Sequence, residues 1–443
     1  MSILSVNFNQ KAGKVKPMHC TNNGPINYDS YKKIKNDLEG ELWKASGIPY
    51  ARTHDSCFCD SYGGDHTIDI HAIFPDFDAD VTDPQSYDFA ITDTYIERIV
   101  SCGTQIFYRL GSSIEVMVKK YHTYPPKDFK KWARICEHII KHYNEGWADG
   151  FRYNIQYWEI WNEPDLDEDD SPEKRTWGGT AAMFYEFYET ASIYLKECFP
   201  DLKIGGPAVA FPYESEWIEN FLKWMTRDGK HIPMDFFSWH TYGSSPEKMF
   251  RNAKHIRDKL DEYGYTECES ILNEWNYVKS WDELHYNMKH MLSIKGAAFY
   301  AACMLGGQND TEIDMLMYYD ARPSRYNGIF EYYTGAPLKG YYAFKMFNTL
   351  YKLGNACNCE YEEDNIYAAA AREENCTAVM ISYFNDDDNC SDIREIELNF
   401  EGGAKSYDIF LLDEEKDAEN IGEIVSGAFL EMKPNTVVLL KSK

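Results

Sequence analysis

The sequence predicts an α/β fold in which strands and helices alternate, followed by a smaller antiparallel β region. Short runs rich in β-branched and aromatic residues alternate with amphipathic segments over most of the chain, which is typical of parallel βα units. Two of these runs end in asparagine and glutamate, where a loop should begin. Beyond residue 355 the pattern changes to strands separated by turns, which favours a second, smaller β domain.

The first part of the chain predicts an initial strand and then alternating helices and strands. Residues 2–8 alternate as a strand, and residues 9–14 are turn-like. Next come a helix at 28–42, a strand at 48–52, a helix at 94–102, a strand at 105–110, a helix at 129–143 and a strand at 155–161. Segment 60–94 is rich in Asp, Gly and Pro, and we expect it to be either a lid or subunit contact, or a solvated loop.

The second part continues the alternation and then changes character. The predicted elements are a helix at 183–199, strands at 203–208 and 235–240, a helix at 254–263, a strand ending at Glu274, and helices at 285–292 and 340–352. Segments 297–305 and 315–319 compete for one further strand before the last helix, for which Gly354 is the expected C-cap. Strands are then predicted at 366–372, 377–384, 393–400, 406–412 and 436–441.

Glu163 lies where the strand at 155–161 should open into a loop. Pro164 cannot continue a strand ladder and holds the preceding residue in an extended conformation. Parallel α/β proteins place their chemistry at such strand ends. A carboxyl group at this position, beside Asn162 and two tryptophans, suits proton transfer because apolar surroundings raise its pKa.

Glu274 repeats this pattern in the segment ILNEWNY. Two glutamates at strand ends are what hydrolysis of a glycosidic bond requires, because one acid protonates the leaving oxygen and the second carboxylate attacks the sugar or activates water. The alternative is that both are surface glutamates that happen to follow strands. The joint occurrence favours the catalytic interpretation.

Longer segments around these two motifs resemble a known family. WEIWNEPDL and NEWNY are similar to the paired signature of retaining glycoside hydrolases, and VNFNQKAGKVKP, ARTHD, KIGGPAV, FSWHTYG and GAPLKGYYAFKMFNTL resemble family 39, which includes β-xylosidases and α-L-iduronidases. The resemblance implies a (β/α)8 TIM barrel at residues 15–354, with 18–23 as its first strand, and an accessory β-sandwich built from 1–14 and 355–443. It also implies that Glu163 is the acid/base and Glu274 the nucleophile.

The resemblance adds candidate contacts to the sugar. Asn162 fits the hydrogen bond to the 2-hydroxyl, and His54 matches a family histidine that binds a sugar hydroxyl. Asp55 stands where the family usually has glycine, so it either accepts another hydroxyl contact or closes part of the pocket. Tyr242 can donate to the nucleophile and hold it ionised, or it only packs. The remaining candidates are His240, Trp275 and Glu312, with Asp314 and Asp320 as alternatives to Glu312.

The composition excludes several classes of partner. Lys and Arg number 45 against 72 Asp and Glu, and the net charge of −27 argues against nucleic acid or an anionic membrane and favours a neutral oligosaccharide or glycoside. No signal peptide or membrane-length apolar run is visible, and the twelve cysteines lack paired spacing, so we expect a cytoplasmic protein with reduced thiols. We expect neither a metal site nor a cofactor, and the oligomeric state stays open, with a homo-oligomer possible for this family.

Two alternatives remain open at the level of the sequence. The same barrel and mechanism could act on an L-iduronide, arabinoside, glucoside or galactoside in place of a β-xyloside. A uronide would need a cation for its carboxylate, and Arg109 is the candidate, although Arg109 could equally pair with a core carboxylate. The second alternative is a non-catalytic carbohydrate-binding barrel.

Overall fold

The computed structural model describes residues 2–25, 38–54, 57–59, 63–213, 215–310, 312–324 and 328–443. The strands are β1 (Ser2–Lys14), β2 (Cys20–Asn22), β3 (Tyr50–Thr53), β4 (Cys57–Cys59), β5 (Gly63–His66), β6 (Gln105–Leu110), β7 (Tyr157–Ile160), β8 (Lys203–Val209), β9 (Phe236–Gly243), β10 (Glu269–Tyr277), β11 (Met315–Tyr318), β12 (Asn355–Tyr361), β13 (Ile366–Glu373), β14 (Cys376–Tyr383), β15 (Arg394–Glu401), β16 (Tyr407–Leu412), β17 (Asp417–Ile424), β18 (Phe429–Met432) and β19 (Thr436–Ser442). The helices are α1 (Leu38–Ser46), α2 (Ile70–Ile73), α3 (Ala90–Ser101), α4 (Phe129–Asn144), α5 (Ala181–Cys198), α6 (Trp217–Thr226), α7 (Pro246–Glu262), α8 (Leu284–Met291), α9 (Ile294–Asn309) and α10 (Lys339–Leu353).

Eight parallel strands close into a barrel, in the order β10, β11, β2, β3, β6, β7, β8, β9. The predicted TIM barrel is therefore confirmed. Its interior at the amino ends of the strands is filled by apolar side chains, which form a cluster of Cys20, Phe107, Tyr157, Phe236, Ile271, Met315 and Met317. Because this layer seals one end, the polar side chains of the strands converge at the carboxyl ends, where barrels of this type carry their sites.

Close approach of backbones fixes the position of β8 between its two neighbours. A Cβ atom added to Gly205 would lie 2.2 Å from the carbonyl oxygen of Phe236 on β9. Gly206 has φ +135°, and its Cβ would lie 2.8 Å from the carbonyl oxygen of Ile160 on β7. Only glycine fits both positions, so these two residues set the spacing of three consecutive strands.

Nine of the remaining strands form one mixed sheet, in the order β17, β16, β19, β14, β13, β12, β1, β15, β18. One face of this sheet encloses its own core, to which strands from both edges contribute: Leu430 and Met432 of β18 and Ile424 of β17 belong to the same cluster. β1 lies inside the sheet, antiparallel to β12 and parallel to β15. The first strand and the last part of the chain therefore build one unit, as the predicted accessory domain requires.

The other face of the sheet packs on the barrel. Met380, Val437 and Leu439 belong to the same apolar cluster as Ala298 of α9 and Phe344 of α10. α9 lies between barrel and sheet, and its residues from Lys295 to Gln308 are all buried. A helix that is apolar on every side is expected when it is covered on every side.

The structure corrects several element predictions. Residues 297–305 are helical, within α9, and the eighth barrel strand is β11, because an all-round apolar helix lacks the periodicity that separates a helix from a buried strand. Residues 9–14 continue β1 through shifts of register, so they are not a turn. Helix α6 and the strands β12, β17 and β18 were not predicted. The part of the predicted 28–42 helix before residue 38 lies outside the described residues.

The loops at the carboxyl ends of the strands contain a few further elements. A two-stranded hairpin, β4 with β5, and the short helix α2 lie in the segment between β3 and α3, where the long excursion is predicted. Gly354 caps α10 in the left-handed conformation, with φ 74°. Within the described ranges, no helix combines the length and the apolar character that a membrane span would need.

Candidate active site

Glu163 lies just beyond the end of β7, in a backbone segment with two left-handed residues. Glu163 does not have the extended conformation predicted for the residue before Pro164, because its φ is 47°, and Trp161 has φ 75°. Both conformations are strained for side chains with a Cβ atom. Neighbouring strands hold this segment: the Trp161 amide donates to the Leu110 carbonyl at 2.7 Å, and the Glu163 amide donates to the Ala208 carbonyl at 2.9 Å. The Thr176 hydroxyl donates to the Glu163 carbonyl. These bonds fix where the carboxyl group can point.

Glu274 lies inside β10, opposite His240 of β9, after an irregularity in the register that follows Leu272. Arg52 Nη1 donates to Glu274 Oε1 at 2.8 Å, and the Tyr242 hydroxyl donates to Oε2 at 2.9 Å. Burial, and the charge of Glu274, raise the pKa of Tyr242 well above its ordinary value, so the hydroxyl keeps its proton. Both partners favour the ionised form of the Glu274 carboxyl group.

The two carboxyl groups face each other across His240. An oxygen of Glu163, an oxygen of Glu274 and a ring nitrogen of His240 all lie within 4.8 Å of one another. His240 Nδ1 is 2.7 Å from Glu163 Oε1 and 3.5 Å from Glu274 Oε2. Burial lowers the pKa of His240 to about 4, so the ring is neutral at neutral pH and can donate to an ionised Glu163 or accept from a protonated one.

Arg52 connects this pair to a second buried carboxylate below it. Its Nε donates to Glu159 Oε2 at 2.7 Å and its Nη2 to Asn162 Oδ1 at 2.6 Å. Burial alone lowers the pKa of Arg52, but the charges of Glu159 and Glu274 outweigh this and raise it. Ser238 and Asn273 donate to the other oxygen of Glu159 at 2.6 and 2.5 Å. The buried charges are thus paired and hydrogen-bonded, as charges without water must be.

Asn162 has one half of its amide unused by the protein. Its Oδ1 accepts from Arg52, whereas its Nδ2 is buried and has no hydrogen-bond partner among the described residues. His54 lies nearby, with Nε2 3.6 Å from Glu274 Oε1. Both side chains are buried beside the two glutamates, and Asn162 Nδ2 can donate to an acceptor such as a sugar hydroxyl oxygen.

The predicted site residues divide into three groups. Those that the structure brings together are Glu163, Glu274, His54, Asn162, His240 and Tyr242. Asp55 lies outside the described residues. Trp275 and Glu312 lie elsewhere.

Trp275 faces outwards from the barrel, whereas its neighbour Glu274 faces the barrel interior. The Trp275 ring is fully buried and packs at 5.6 Å on Tyr318, 5.9 Å on Tyr300 and 6.3 Å on Phe299 of α9. Successive residues of a strand point to opposite faces, so the residue after an inward-facing glutamate faces the helices. The structure therefore corrects the prediction that Trp275 contacts a sugar.

The prediction that Glu312 contacts the sugar is also corrected. It precedes β11, so it lies at the amino end of the barrel, on the side opposite to Glu163 and Glu274. Asp314 lies at the same end, where it accepts from the Ser270 amide at 2.8 Å. Asp320 follows β11 and lies at the carboxyl end, fully buried, where it accepts from Asn23 at 3.0 Å. Asp320 is thus the one of these three acids on the side of the site.

Arg109 is paired with a carboxylate of the protein. Its Nη2 donates to Asp69 Oδ1 at 2.6 Å and to Ser113 Oγ at 3.2 Å, and its side chain is fully buried. Asp69 also accepts from the Ser113 amide at 2.9 Å. Arg109 therefore pairs with a carboxylate of the protein, which was the second of its two predicted roles. This pairing makes Arg109 less suited to bind a substrate carboxylate.

Arg52 and Glu159 belong to the site but were not predicted from the sequence. Each is a charged residue inside an otherwise apolar strand, and that was the available signal. Glu163, Glu274 and His240 together offer three donor atoms that could hold a metal ion. However, the Arg52 guanidinium already neutralises Glu274, so the donor set suits proton exchange better than cation binding.

A closed barrel with paired carboxylates at the ends of its fourth and seventh strands is an arrangement suited to acid/base and nucleophilic chemistry. The family model described as "Glycosyl hydrolases family 39" matches residues 29–272, which is more than half of the chain. The chain belongs to this family.

Individual relatives match this chain at modest sequence identity and over part of its length. A β-xylosidase of Caldicellulosiruptor saccharolyticus is 26% identical over 167 residues, covering 35% of this chain and 31% of the relative. A β-xylosidase of Geobacillus stearothermophilus is 27% identical over 198 residues, covering 41% and 34%. These matches span only about a third of the length of each relative. Among solved structures, a glucosidase from Croceicoccus marinus superposes with a TM-score of 0.77 at 24% identity, covering 100% of this chain and 98% of that chain.

Proposed function

We propose that this protein is a retaining glycoside hydrolase that cleaves a terminal sugar by double displacement. The observation that carries the proposal is the separation of Glu163 and Glu274, whose nearest oxygens are within 4.8 Å. Retaining enzymes hold their two carboxyl groups about 5 to 5.5 Å apart, whereas inverting enzymes need about 6.5 to 9.5 Å for an intervening water. The shorter spacing leaves no room for that water.

In the first step Glu274 is the nucleophile. Its carboxylate oxygen forms a bond to the anomeric carbon as the bond from that carbon to the leaving oxygen breaks. Glu163 gives its proton to the leaving oxygen, so that the leaving group departs as a neutral alcohol. Arg52 and Tyr242 keep Glu274 ionised before the attack, because both donate to it.

In the second step Glu163 acts as the base. Once Glu274 is esterified it carries no negative charge, so the pKa of Glu163 falls and its ionised form becomes stable. Glu163 removes a proton from water, the water oxygen attacks the anomeric carbon, and the ester bond to Glu274 breaks. His240 can stay hydrogen-bonded to Glu163 in both steps, because its neutral ring pairs with either protonation state of Glu163.

The sugar that we propose for the pocket is a β-xyloside. The two relatives named as β-xylosidases support this choice, and the glucosidase of similar fold makes a glucoside the first alternative. Asn162 and His54 are the proposed contacts to the hydroxyl groups, with Asp55 as a further candidate. Asp69 pairs with Arg109 and neutralises its charge, which disfavours a uronide because a uronide needs a cation for its carboxylate.

The test combines a panel of 4-nitrophenyl glycosides with variants of the two glutamates. Glu274→Ala should abolish hydrolysis of the preferred glycoside, and Glu163→Gln should slow hydrolysis of a disaccharide by about 10²- to 10⁴-fold, since it removes general acid catalysis. Glu269→Gln is the matched control, because Glu269 lies on the same strand but pairs with Lys203 and Tyr157 at the opposite end of the barrel.

The stereochemistry of the product provides a second measurement. Proton NMR of the first-formed sugar should detect the same anomeric configuration as in the substrate. Near-normal turnover by Glu274→Ala, or an inverted product, would overturn the mechanism. Silence of the wild-type protein on the whole panel would favour the non-catalytic carbohydrate-binding barrel.

The compartment proposed is a reducing one, the cytoplasm. The ten cysteines whose side chains the structure describes are all free thiols, and several of them are buried in the barrel. Proteins of oxidising compartments usually pair their cysteines.

A further inference from the structure

Three hydrogen bonds tie the segment after β7 to the end of β8. The Glu163 amide donates to the Ala208 carbonyl at 2.9 Å. The amides of Ala210 and Phe211 donate to the two carboxylate oxygens of Asp165, at 2.8 and 2.9 Å. Asp165 is only two residues beyond Glu163, so the same short loop that carries the proposed acid also fixes the backbone of Phe211.

The Asp165 carboxyl group is placed for this structural task. Burial raises the pKa of Asp165 to about 7, while the two backbone amides oppose that shift. A carboxylate that accepts one backbone amide on each oxygen fixes both the position and the orientation of the segment it binds. The loop from Ala210 to Phe211 therefore has one defined place relative to Glu163.

Phe211 presents an exposed ring in this fixed loop. The residue is 40% exposed, and its ring makes no contact with another aromatic ring in the described part of the chain. Tyr213, on the same loop, differs: its ring packs at 4.7 Å on His255 of α7, and Arg251 lies over it at 5.4 Å. Phe211 is thus an exposed apolar side chain on a loop that is hydrogen-bonded to the segment of the acid, whereas the Tyr213 ring packs on a helix.

In the proposed mechanism, the leaving group lies on the Glu163 side of the pocket. A general acid protonates the oxygen that departs, so the group attached to that oxygen lies on the side of Glu163 and away from Glu274. A sugar ring has apolar C–H faces that pack on aromatic rings, and binding pockets combine such faces with a few polar groups.

We propose that Phe211 forms the aromatic wall of the leaving-group subsite, against which the second sugar of an oligosaccharide packs, and that Asp165 is the positioning residue that holds it there. This inference rests on the proposed function, because it assigns Glu163 as the acid. It makes a β-linked disaccharide or longer oligosaccharide the natural class of substrate.

The experiment compares two substrates that share a glycone and differ in the leaving group. The substrates are the β-linked disaccharide and the glycosyl fluoride of the sugar selected by the 4-nitrophenyl panel, since fluoride has no ring that could pack on Phe211. We expect Phe211→Ala to lower the ratio of kcat/KM for disaccharide over fluoride by about tenfold. Phe211→Tyr should restore most of that ratio, and Tyr213→Ala, the matched control, should leave it unchanged.

Asp165→Asn tests the positioning role. An amide keeps one accepting oxygen but loses the other, so the loop should lose its defined place and the same ratio should fall. If Asp165 acts through Phe211, the variant that combines Asp165→Asn with Phe211→Ala should have nearly the ratio of Phe211→Ala alone, because the two substitutions then remove one interaction.

The outcomes separate the two proposals. A wild-type protein that hydrolyses neither substrate contradicts the proposed function. A wild-type protein that hydrolyses both, with an unchanged ratio in Phe211→Ala, overturns the subsite while the proposed function stands. Independent, additive effects of the two substitutions would overturn the positioning role of Asp165.

Discussion

Arg52 is the residue on which the charge balance of the barrel interior depends. One guanidinium contacts Glu159, Glu274 and Asn162 at 2.6 to 2.8 Å, and none of its surface is exposed. Two buried carboxylates without this cation would face a large desolvation penalty. The planar fork of arginine suits this role, because separate nitrogens serve separate partners.

Arg52→Lys is expected to slow catalysis and to change its pH dependence. A single ammonium group keeps the charge but cannot serve three partners at once, so we expect kcat/KM to fall by on the order of 10²-fold. The nucleophile Glu274 must be ionised, and a weaker cationic partner raises its pKa. The acidic limb of the kcat/KM profile should therefore move to higher pH, as measured on an aryl glycoside between pH 4 and 9.

A second buried arginine provides the control for this variant. Arg109 pairs with Asp69, so Arg109→Lys should lower the thermal stability without moving the acidic limb. An unshifted acidic limb in Arg52→Lys would contradict the role assigned to Arg52.

At the scale of single residues, the two glutamates could be predicted as site residues because each lies at a strand end that the sequence pattern indicates, beside proline or tryptophan. Arg52 and Glu159 were missed because their importance depends on which strands become neighbours, and that is fixed by barrel closure. The prediction for Trp275 is wrong because successive residues of a strand face opposite sides, so a residue next to an inward-facing glutamate faces outwards.

At the scale of elements, β8 sets the geometry of the acid. Its backbone receives the Glu163 amide through Ala208, and its spacing from β7 and β9 depends on Gly205 and Gly206. A change in this spacing would move the proposed acid without touching its side chain.

Gly205→Ala should destabilise the protein and reduce activity. The added Cβ would meet the Phe236 carbonyl oxygen at 2.2 Å, and a backbone atom inside a sheet cannot move aside alone. We expect a loss of about 3 kcal/mol in the free energy of unfolding, at the upper end for overpacking, as measured by denaturant titration. Gly243→Ala is the control, since its Cβ would meet only the flexible side chain of Lys248, at 3.1 Å. Equal stabilities for the two variants would contradict this account.

Elements with clear periodicity were predicted well, and those without it were not. The strand at Gln105–Leu110 and the amphipathic α4 were predicted within a residue of their observed bounds. α9 has no polar face, because the sheet covers the side that solvent would otherwise reach, so neither the helical nor the strand period is visible in it. Glu312 was misassigned for the same reason, since the eighth strand could not be located.

At the scale of the whole molecule, barrel and sheet share one apolar cluster. Met380 and Leu439 of the sheet pack in the same cluster as Ala298 and Phe344 of the barrel helices. Units joined through a continuous apolar interface are expected to unfold together.

Met380→Ala should therefore lower the stability of the entire chain. Truncation of a buried methionine costs about 2 to 5 kcal/mol, and we expect one calorimetric transition at a lower temperature, with activity lost in the same transition. Ile421→Ala is the control, because Ile421 is 50% exposed and its truncation should leave the melting temperature nearly unchanged. Two separate transitions in the Met380 variant would show that the sheet melts independently of the barrel.

The architecture as a whole was predictable because the alternation of elements and the family motifs both indicate a barrel with an added β domain. Sequence patterns cannot supply the order of strands in the added sheet, since pairing between distant segments leaves little local trace. The weakly patterned β17, largely exposed along its length, is an example.

The place of β1 bears on how the chain is made. Leu4 pairs with Leu398 and with Tyr361, so a strand that precedes the barrel in the chain is an inner strand of a sheet whose other members follow the barrel. Throughout translation this strand has unpaired amide and carbonyl groups along both edges, and such edges promote association between nascent chains. The sheet can therefore be completed only after the barrel has been synthesised, and β1 depends on the arrival of β12 and β15.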